Sequence, residues 1–289
     1  MVALVHSSQA TIAPQLFAGR YRLLQEVGKS DCSYVYQAID TFDDNRLVAV
    51  KRLRQSGLPV GLRGAARQSY RREAAILPQL SHLRIPRLHE ASLDGSLWYL
   101  VLDYIPGETL ECYLKRQPIP LPLLEVIDLG LQICDVLVYL HEHRPPVKFR
   151  DLKPANLMRK PSGQIALIDF GLACPFRPGR LDPVALGTAG YAAPEQYANE
   201  YGQSATTLQS DIYSLGVILH RLLSGEVPQP STFTFSPLVN TVPDLAELVA
   251  SMLNPEPEQR VQHIRAVQAR LQAISAQASF DLSKEYAIT

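Results

Sequence analysis

Two aspartates and an asparagine mark the stretch from Val147 to Gly171. Asp151 and Asp169 lie 18 residues apart with Asn156 between them, and each aspartate follows or ends a short apolar, strand-like segment. Carboxylates and an amide oxygen are the hard donors that Mg²⁺ prefers, and Lys153 and Lys51 can balance the charge of a phosphate. The set reads as a place where a metal-bound phosphate is handled.

The elements that must position these residues change character near Gly107. Before it, Tyr21 to Val27, Tyr34 to Asp40, Leu47 to Leu53, Ala91 to Leu93 and Trp98 to Ile105 read as strands. Turn residues separate them, Asp43-Asp44-Asn45 and Asp94-Gly95 among them. One helix interrupts, from about Gly64 to Leu80, with Pro78 expected to bend or fray its last turn. After Gly107 helical periodicity dominates: Leu121 to His141, Ser210 to Ser224, Pro243 to Leu253 and Val261 to Ile274. Ser210 is the expected N-cap of its helix, with Gly225 just past the far end. The expectation is an α+β chain with a small β-rich lobe followed by a larger helical one.

With these elements in view, the motifs carry a resemblance. Arg150-Asp151-Leu152-Lys153-Pro154-Ala155-Asn156 and Asp169-Phe170-Gly171 resemble the catalytic loop and metal-binding motif of protein kinases. Val48-Ala49-Val50-Lys51 resembles the third-strand lysine motif, and Ala193-Pro194-Glu195 the motif that closes the activation segment. All four stand in the family's order; Lys153 with Gly187-Thr188 resembles the serine/threonine branch, and Gly187-Thr188-Ala189-Gly190-Tyr191 resembles bacterial members. The resemblance implies a two-lobed fold: an N-terminal extension at 1–20, a kinase domain at 21–275 (N-lobe 21–105, C-lobe 106–275) and a C-terminal tail at 276–289.

It also implies roles. ATP and Mg²⁺ would be the cofactors, and proteins bearing Ser or Thr the substrates. Lys51 would hold the α and β phosphates, Asn156 and Asp169 the Mg²⁺. Asp151 would receive the substrate hydroxyl's proton, and Lys153 would meet the γ phosphate. Lys51 would need a helix carboxylate, and from Arg52 to His89 the chain has eight arginines but a single acid, Glu73. Val27, Gly28, Ser30, Ser33, Val35, Ala49 and Met158 would surround the nucleotide. Asp103 to Ile105 would form the hinge that bonds adenine through its backbone, with Leu102 behind the base. Asp211 would fix the backbone of the catalytic loop, and Arg260 would pair with Glu195.

Four departures bear on activity. The phosphate-covering loop, normally G-x-G-x-x-G-x-V, reads Gly28-Lys29-Ser30-Asp31-Cys32-Ser33-Tyr34-Val35, and serine carries a Cβ penalty wherever φ must be positive. Asp31 adds negative charge there, and Cys32 is either an oxidation-sensitive thiol or an inert small side chain. Phe149 stands where the family has histidine; with Phe170 and Leu77 it would supply a buried stack. Between Gly171 and Gly187 there is no Ser, Thr or Tyr, so no phosphate can be added there to meet Arg150, though Asp182 offers a fixed charge. The segment between Gly225 and Pro243 is short, and the docking helix expected there is truncated.

The rest of the chain narrows the classes. Its 289 residues carry 28 basic and 28 acidic side chains, which argues against an electrostatic grip on nucleic acid or an anionic membrane. Apolar residues make up 46%, ordinary for a globular fold, and no apolar run is long enough to span a bilayer. No basic region precedes the first apolar residues, and Cys32, Cys112, Cys134 and Cys174 are too far apart for a zinc knuckle. Free thiols and a cytoplasmic location are the expectation. The reading is a serine/threonine protein kinase. Its alternative is a pseudokinase serving as a nucleotide-binding or scaffold module; a small-molecule kinase is disfavoured by Gly187-Thr188, Ala193-Pro194-Glu195 and Asp211.

Overall fold

The structure is a computed structural model that describes residues 16–54, 60–93, 97–182, 187–197, 199, 203–228 and 242–288. The Asp94-Gly95 turn and most of the segment between Gly225 and Pro243, where a truncated docking helix is expected, lie outside the described residues. The chain divides into two compact units: residues up to Arg67 with Leu88–Tyr104, and Gln68–Arg87 with the chain from Ile105 onward.

Five strands build the first unit's antiparallel sheet, in the order β1-β2-β3-β5-β4: β1 (Tyr21–Lys29), β2 (Ser33–Asp40), β3 (Arg46–Leu53), β4 (Leu88–Ser92) and β5 (Tyr99–Asp103). Because side chains alternate along a strand, one face gathers Tyr21, Ala38, Val48, Val50, Tyr99 and Val101 into a core. The register puts Val35 opposite Lys51 and Ala49 opposite Leu102, so these four share the other face. Polar groups lock the sheet's end. Arg20 forks onto Asp40 with two bonds of 2.7 Å, and Glu90 accepts from Tyr21 at 2.6 Å and Tyr99 at 2.5 Å.

Helix α1 (Val60–Ile76) ends where Pro78 enters a 3-10 turn, Leu77–Gln79, because proline cannot donate to the helical ladder. Its Ala66, Tyr70 and Glu73 are buried at helical spacing, and Leu77 just past its end continues the row, so a carboxylate sits within an otherwise apolar stripe.

The second unit is helical: α2 (Leu110–Leu114), α3 (Leu123–Glu142), α4 (Leu208–Ser224), α5 (Pro243–Met252) and α6 (Ile264–Ile288). Apolar residues on α3, including Ile133, Leu137 and Leu140, are fully buried, each worth roughly 1.5–3 kcal/mol. At Gly130 a Cβ would come 3.0 Å from Leu219 and 3.1 Å from Leu271, so α3 packs closely on α4 and α6. Short strands sit beside the helices. β6 (Glu108–Thr109), β8 (Leu157–Arg159) and β9 (Ile165–Leu167) form one sheet in the order β6-β8-β9; β7 (Val147–Lys148) pairs with β10 (Cys174–Pro175).

Several boundaries differ from expectation. The N-cap of α4 is Thr207, and Ser210 instead sits one turn in, its Oγ accepting from Thr207 N–H at 3.0 Å. That return bond is the half of a capping box supplied by its inner residue, which is why a serine there mimics a cap in sequence. Gly225, at φ +86°, ends α4 as expected. Helix α6 continues past Ile274 through the segment read as a tail, and β4 begins at Leu88 rather than Ala91.

Candidate active site

Strand β7 is short, and the chain leaves it through Phe149 and Arg150, the latter at φ +72°. A left-handed arginine is strained, so the surroundings must hold it. Asp211 on α4, fully buried, accepts from Phe149 N–H at 2.9 Å and Arg150 N–H at 2.7 Å, while His141 Nε2 lies 3.1 Å from the same carboxylate. Gln196 Nε2 donates to the Arg150 carbonyl at 2.8 Å. Asp211 thus fixes this backbone as its position suggested. Phe149 is buried edge-to-face on Phe170, centroids 5.2 Å apart, and Leu77 is buried too.

Asp151 follows directly and is the centre of a side-chain cluster. Its Oδ1 accepts from the Thr188 hydroxyl at 2.7 Å; its Oδ2 accepts from Asn156 Nδ2 at 2.9 Å and lies 2.9 Å from Lys153 Nζ. Lys153 Nζ also donates to Thr188 Oγ1 at 2.6 Å, closing a ring of three side chains. Gly187 lets Thr188 come this close. At φ +124° it would place a Cβ 2.8 Å from Ala192 Cβ and 2.9 Å from Gln196 Nε2.

Asn156 and Asp169 come together through the β8-β9 hairpin. Leu157 pairs with Leu167, and Ile168 N–H donates to the Asn156 carbonyl at 2.9 Å, so the two residues stand at neighbouring strand ends. Asp169 adopts φ +66° and accepts from Gly171 N–H at 3.3 Å. Asn156 spends its NH₂ on Asp151 and keeps an amide oxygen, so the pair offers one carboxylate and one neutral oxygen. Such a donor set fits a small hard cation that keeps waters and substrate oxygens as its other ligands. Met158 lies on β8 and Ile105 just before β6.

In the first unit, Lys51 is buried on the sheet face that carries Val35, Ala49 and Leu102. Asp103 ends β5, its carboxylate 2.7 Å from His89 Nε2. Gly28 faces Val35 across β1 and β2; Val27 falls on a bulge in β1, half exposed. The two serines replace glycine at no backbone cost, since neither has positive φ. Ser30 Oγ instead accepts from Ser33 N–H at 3.0 Å and lies 2.9 Å from Ser33 Oγ, so the hydroxyls tie the turn. Burial, then the charge of Asp31, push the Cys32 thiol up, which favours the inert reading.

Next to Gln196 and Asp211 in sequence, Glu195 and Ser210 are tied together: Arg260 forks onto Glu195 with two bonds of 2.7 Å, and Ser210 Oγ donates to Glu195 at 2.6 Å. The sequence reading passed over His141, Gln196 and Lys148. Gln196 is signalled only by following Glu195, and Lys148 only by alternation with Arg150. All four cysteines are free thiols. Among the described residues no helix is long and apolar enough to cross a membrane, and no cluster of three or more His, Cys, Asp or Glu forms.

Comparison with known proteins places this geometry. The protein kinase domain family matches residues 21–271. The chain is 33% identical over 246 residues to a probable serine/threonine-protein kinase PknB of Lactococcus lactis, covering 84% of this chain and 37% of that protein. It is 30% identical to the serine/threonine-protein kinase PrkC of Bacillus subtilis, covering 73% of this chain and 31% of that one. Serine/threonine-protein kinase C of Synechocystis is 33% identical, with 74% of this chain and 41% of its own length aligned. The chain spans about a third of the length of the curated relatives it matches first. The family implies ATP as a substrate and use of a divalent metal. Taken with the ring around Asp151 and the paired ends of the β8-β9 hairpin, the match makes the chain a member of the protein kinase family.

Proposed function

We propose that the chain transfers the γ-phosphoryl group of ATP to Ser or Thr hydroxyls of proteins. One observation carries the reading: Asp151 already accepts a hydrogen bond from a hydroxyl, that of Thr188, while Lys153 bonds the same oxygen. A substrate hydroxyl presented to this carboxylate would be oriented for attack in the same way. As the new O–P bond forms and the bond to the β-phosphate oxygen breaks, the hydroxyl proton passes to Asp151, and ADP leaves. Lys153 stands beside the place where charge develops on the transferred group.

Asn156 and Asp169 are the residues we assign to Mg²⁺, which when bound would neutralise phosphate charge. Lys51 is assigned to the α and β phosphates, and Glu73 to the carboxylate role of its family counterpart. Its burial within an apolar stripe supports that role, because an acid is almost never fully buried unless it is paired. Val27, Gly28, Ser30, Ser33, Val35, Ala49, Asp103, Ile105 and Met158 retain the nucleotide roles that the family resemblance gives them. The domain limits 21–275 are likewise proposed, and a location in the cytoplasm goes with them.

The pseudokinase reading rested on the loop serines and Phe149. Ordinary φ at Ser30 and Ser33, and a buried Phe149, remove the physical reason for it. The test is to incubate purified protein with labelled ATP, Mg²⁺ and a generic acceptor protein, alongside Asp151→Asn. Label in Ser or Thr with wild type alone supports the proposal; equal labelling by both sinks it.

A further inference from the structure

Lys148 and Arg150 lie two residues apart, and both are buried. A single carboxylate serves them. Arg150 Nη1 is 2.7 Å from Asp182 Oδ1, and Lys148 Nζ is 2.9 Å from Oδ2. Each cation also meets a backbone carbonyl, Arg150 Nε that of Leu172 at 2.6 Å and Lys148 Nζ that of Thr206 at 2.9 Å. Asp182 is itself fastened by a two-way backbone bridge, donating to Ser204 O at 2.8 Å and accepting from Ser204 N–H at 3.1 Å.

A cavity of about 240 Å³ opens beside this cluster, and Arg72, Arg177 and Arg180 add to its lining. Five cations there face one acid. Burial, then the charge of Arg150, lower the Arg72 guanidinium, as expected where positive charge is in excess. Such a cavity is built for negative charge, yet residues 172–186 contain no hydroxyl that could carry a phosphate.

We propose that Asp182 is the cavity's permanent anion and a positioning residue for Asp151: it holds Arg150 so that the catalytic loop is set without any modification of the segment. The inference rests on the kinase reading above. The route is short. Arg150 is gripped at its amide by Asp211, at its carbonyl by Gln196 and at its guanidinium by Asp182, and Asp151 is the next residue. Without the carboxylate, two buried cations repel each other and the Arg150 guanidinium is left to the Leu172 carbonyl, one restraint fewer on a strained residue. The cavity then has room for an anion from solution.

The test compares wild type with Asp182→Asn, Asp182→Ala and Asp182→Glu in the full chain. Asp182→Asn is expected to lower kcat about 100-fold, the scale of a small misplacement, with KM for ATP nearly unchanged. Asp182→Glu restores most of the loss, and millimolar sulfate raises kcat of Asp182→Ala about tenfold while leaving wild type unaffected. Hydrogen exchange gives a readout that needs no turnover: amides of residues 149–156 exchange about tenfold faster in Asp182→Asn, those of α3 at the wild-type rate. A kcat for Asp182→Asn within twofold of wild type overturns the proposal. Unchanged exchange at 149–156, or general unfolding that neither glutamate nor sulfate corrects, does so too. If wild type transfers no label at all, the kinase reading fails, and exchange alone decides whether Asp182 holds the loop.

Discussion

The loop around Asp151 and the loop from Gly28 to Val35 are both assigned to phosphate chemistry, yet distant partners do more to hold the first than the second. Around Asp151 the near bonds from Asn156 and Lys153 are joined by restraints from far along the chain: Asp211 is 61 residues from Arg150, Gln196 is 46 from it, and Thr188 is 37 from Asp151. Ser30 and Ser33 close their turn with bonds spanning three residues, and Arg54 N–H adds a backbone bond to the Cys32 carbonyl at 2.8 Å, so this turn is tied mainly by its own hydroxyls. A loop tied by distant partners opens only when the surrounding unit loosens, whereas a locally tied loop can open by itself. The first arrangement suits groups that must be aligned in advance, the second a cover that admits and releases a nucleotide.

The sharpest way to break this contrast is at the aligned groups. Asp151→Asn should lower phosphotransfer by about 10³-fold while nucleotide affinity stays near wild type. Lys51→Met should lower both, as read by labelled transfer and a nucleotide titration. Next in size is the scaffold. Asp211→Ala leaves two buried N–H groups without their acceptor and should cost about 2–4 kcal/mol in denaturant unfolding. A loss below about 0.5 kcal/mol would mean that the loop is not held from α4.

Asp182 allows a test by pH. Burial raises its pKa, but the bonds from Lys148 and Thr206 and the charges of Arg150 and Lys148 together outweigh burial and hold it below the ordinary carboxylate value. A depressed folded pKa gives stability that is present above the unfolded value and lost as pH falls through the folded one. The stability gap between wild type and Asp182→Asn should therefore persist from neutral pH down to about 4 and shrink only below it. A gap that closes between pH 6 and 5 contradicts the ion cluster.

The locally tied loop should respond more weakly. Ser30→Gly with Ser33→Gly removes hydroxyl bonds without relieving strain, so KM for ATP should rise about threefold with little change in global stability. A lower KM would mean that the serines hinder closure. Smallest of all, Cys32 should alkylate more slowly than exposed Cys112 at neutral pH, and Asp31→Asn should speed it about twofold. Peptide mapping after brief iodoacetamide treatment reads both.

Much of this was legible in the residues, and what was missed follows the same contrast. The five strands of the first unit alternate or run apolar between turn residues, so their existence was readable and only their ends moved. Asp151, Asn156 and Asp169 stood out because acid and amide types cluster at short separation. The serines were misjudged for strain because sequence shows that a glycine is missing but not the sign of φ in its place. Lys148 went unnoticed because a lysine in a short segment looks solvated until its burial beside Asp182 is known. Two-residue strands such as β6, β7 and β10 are too short to show any period.

Gly187 and Gly179 both adopt left-handed backbone, but only one of them is hemmed in. A Cβ at Gly179 meets nothing within 4 Å, so an asparagine or aspartate can stand there at modest backbone cost. At Gly187 even alanine would press on Ala192 and on the amide of Gln196 that bonds the Arg150 carbonyl. Mutational drift is therefore open at one end of this segment and closed at the other. Descendants of this chain can vary the exposed turn freely while position 187 stays frozen, and an engineer redesigning the segment should take Gly187 as its fixed origin.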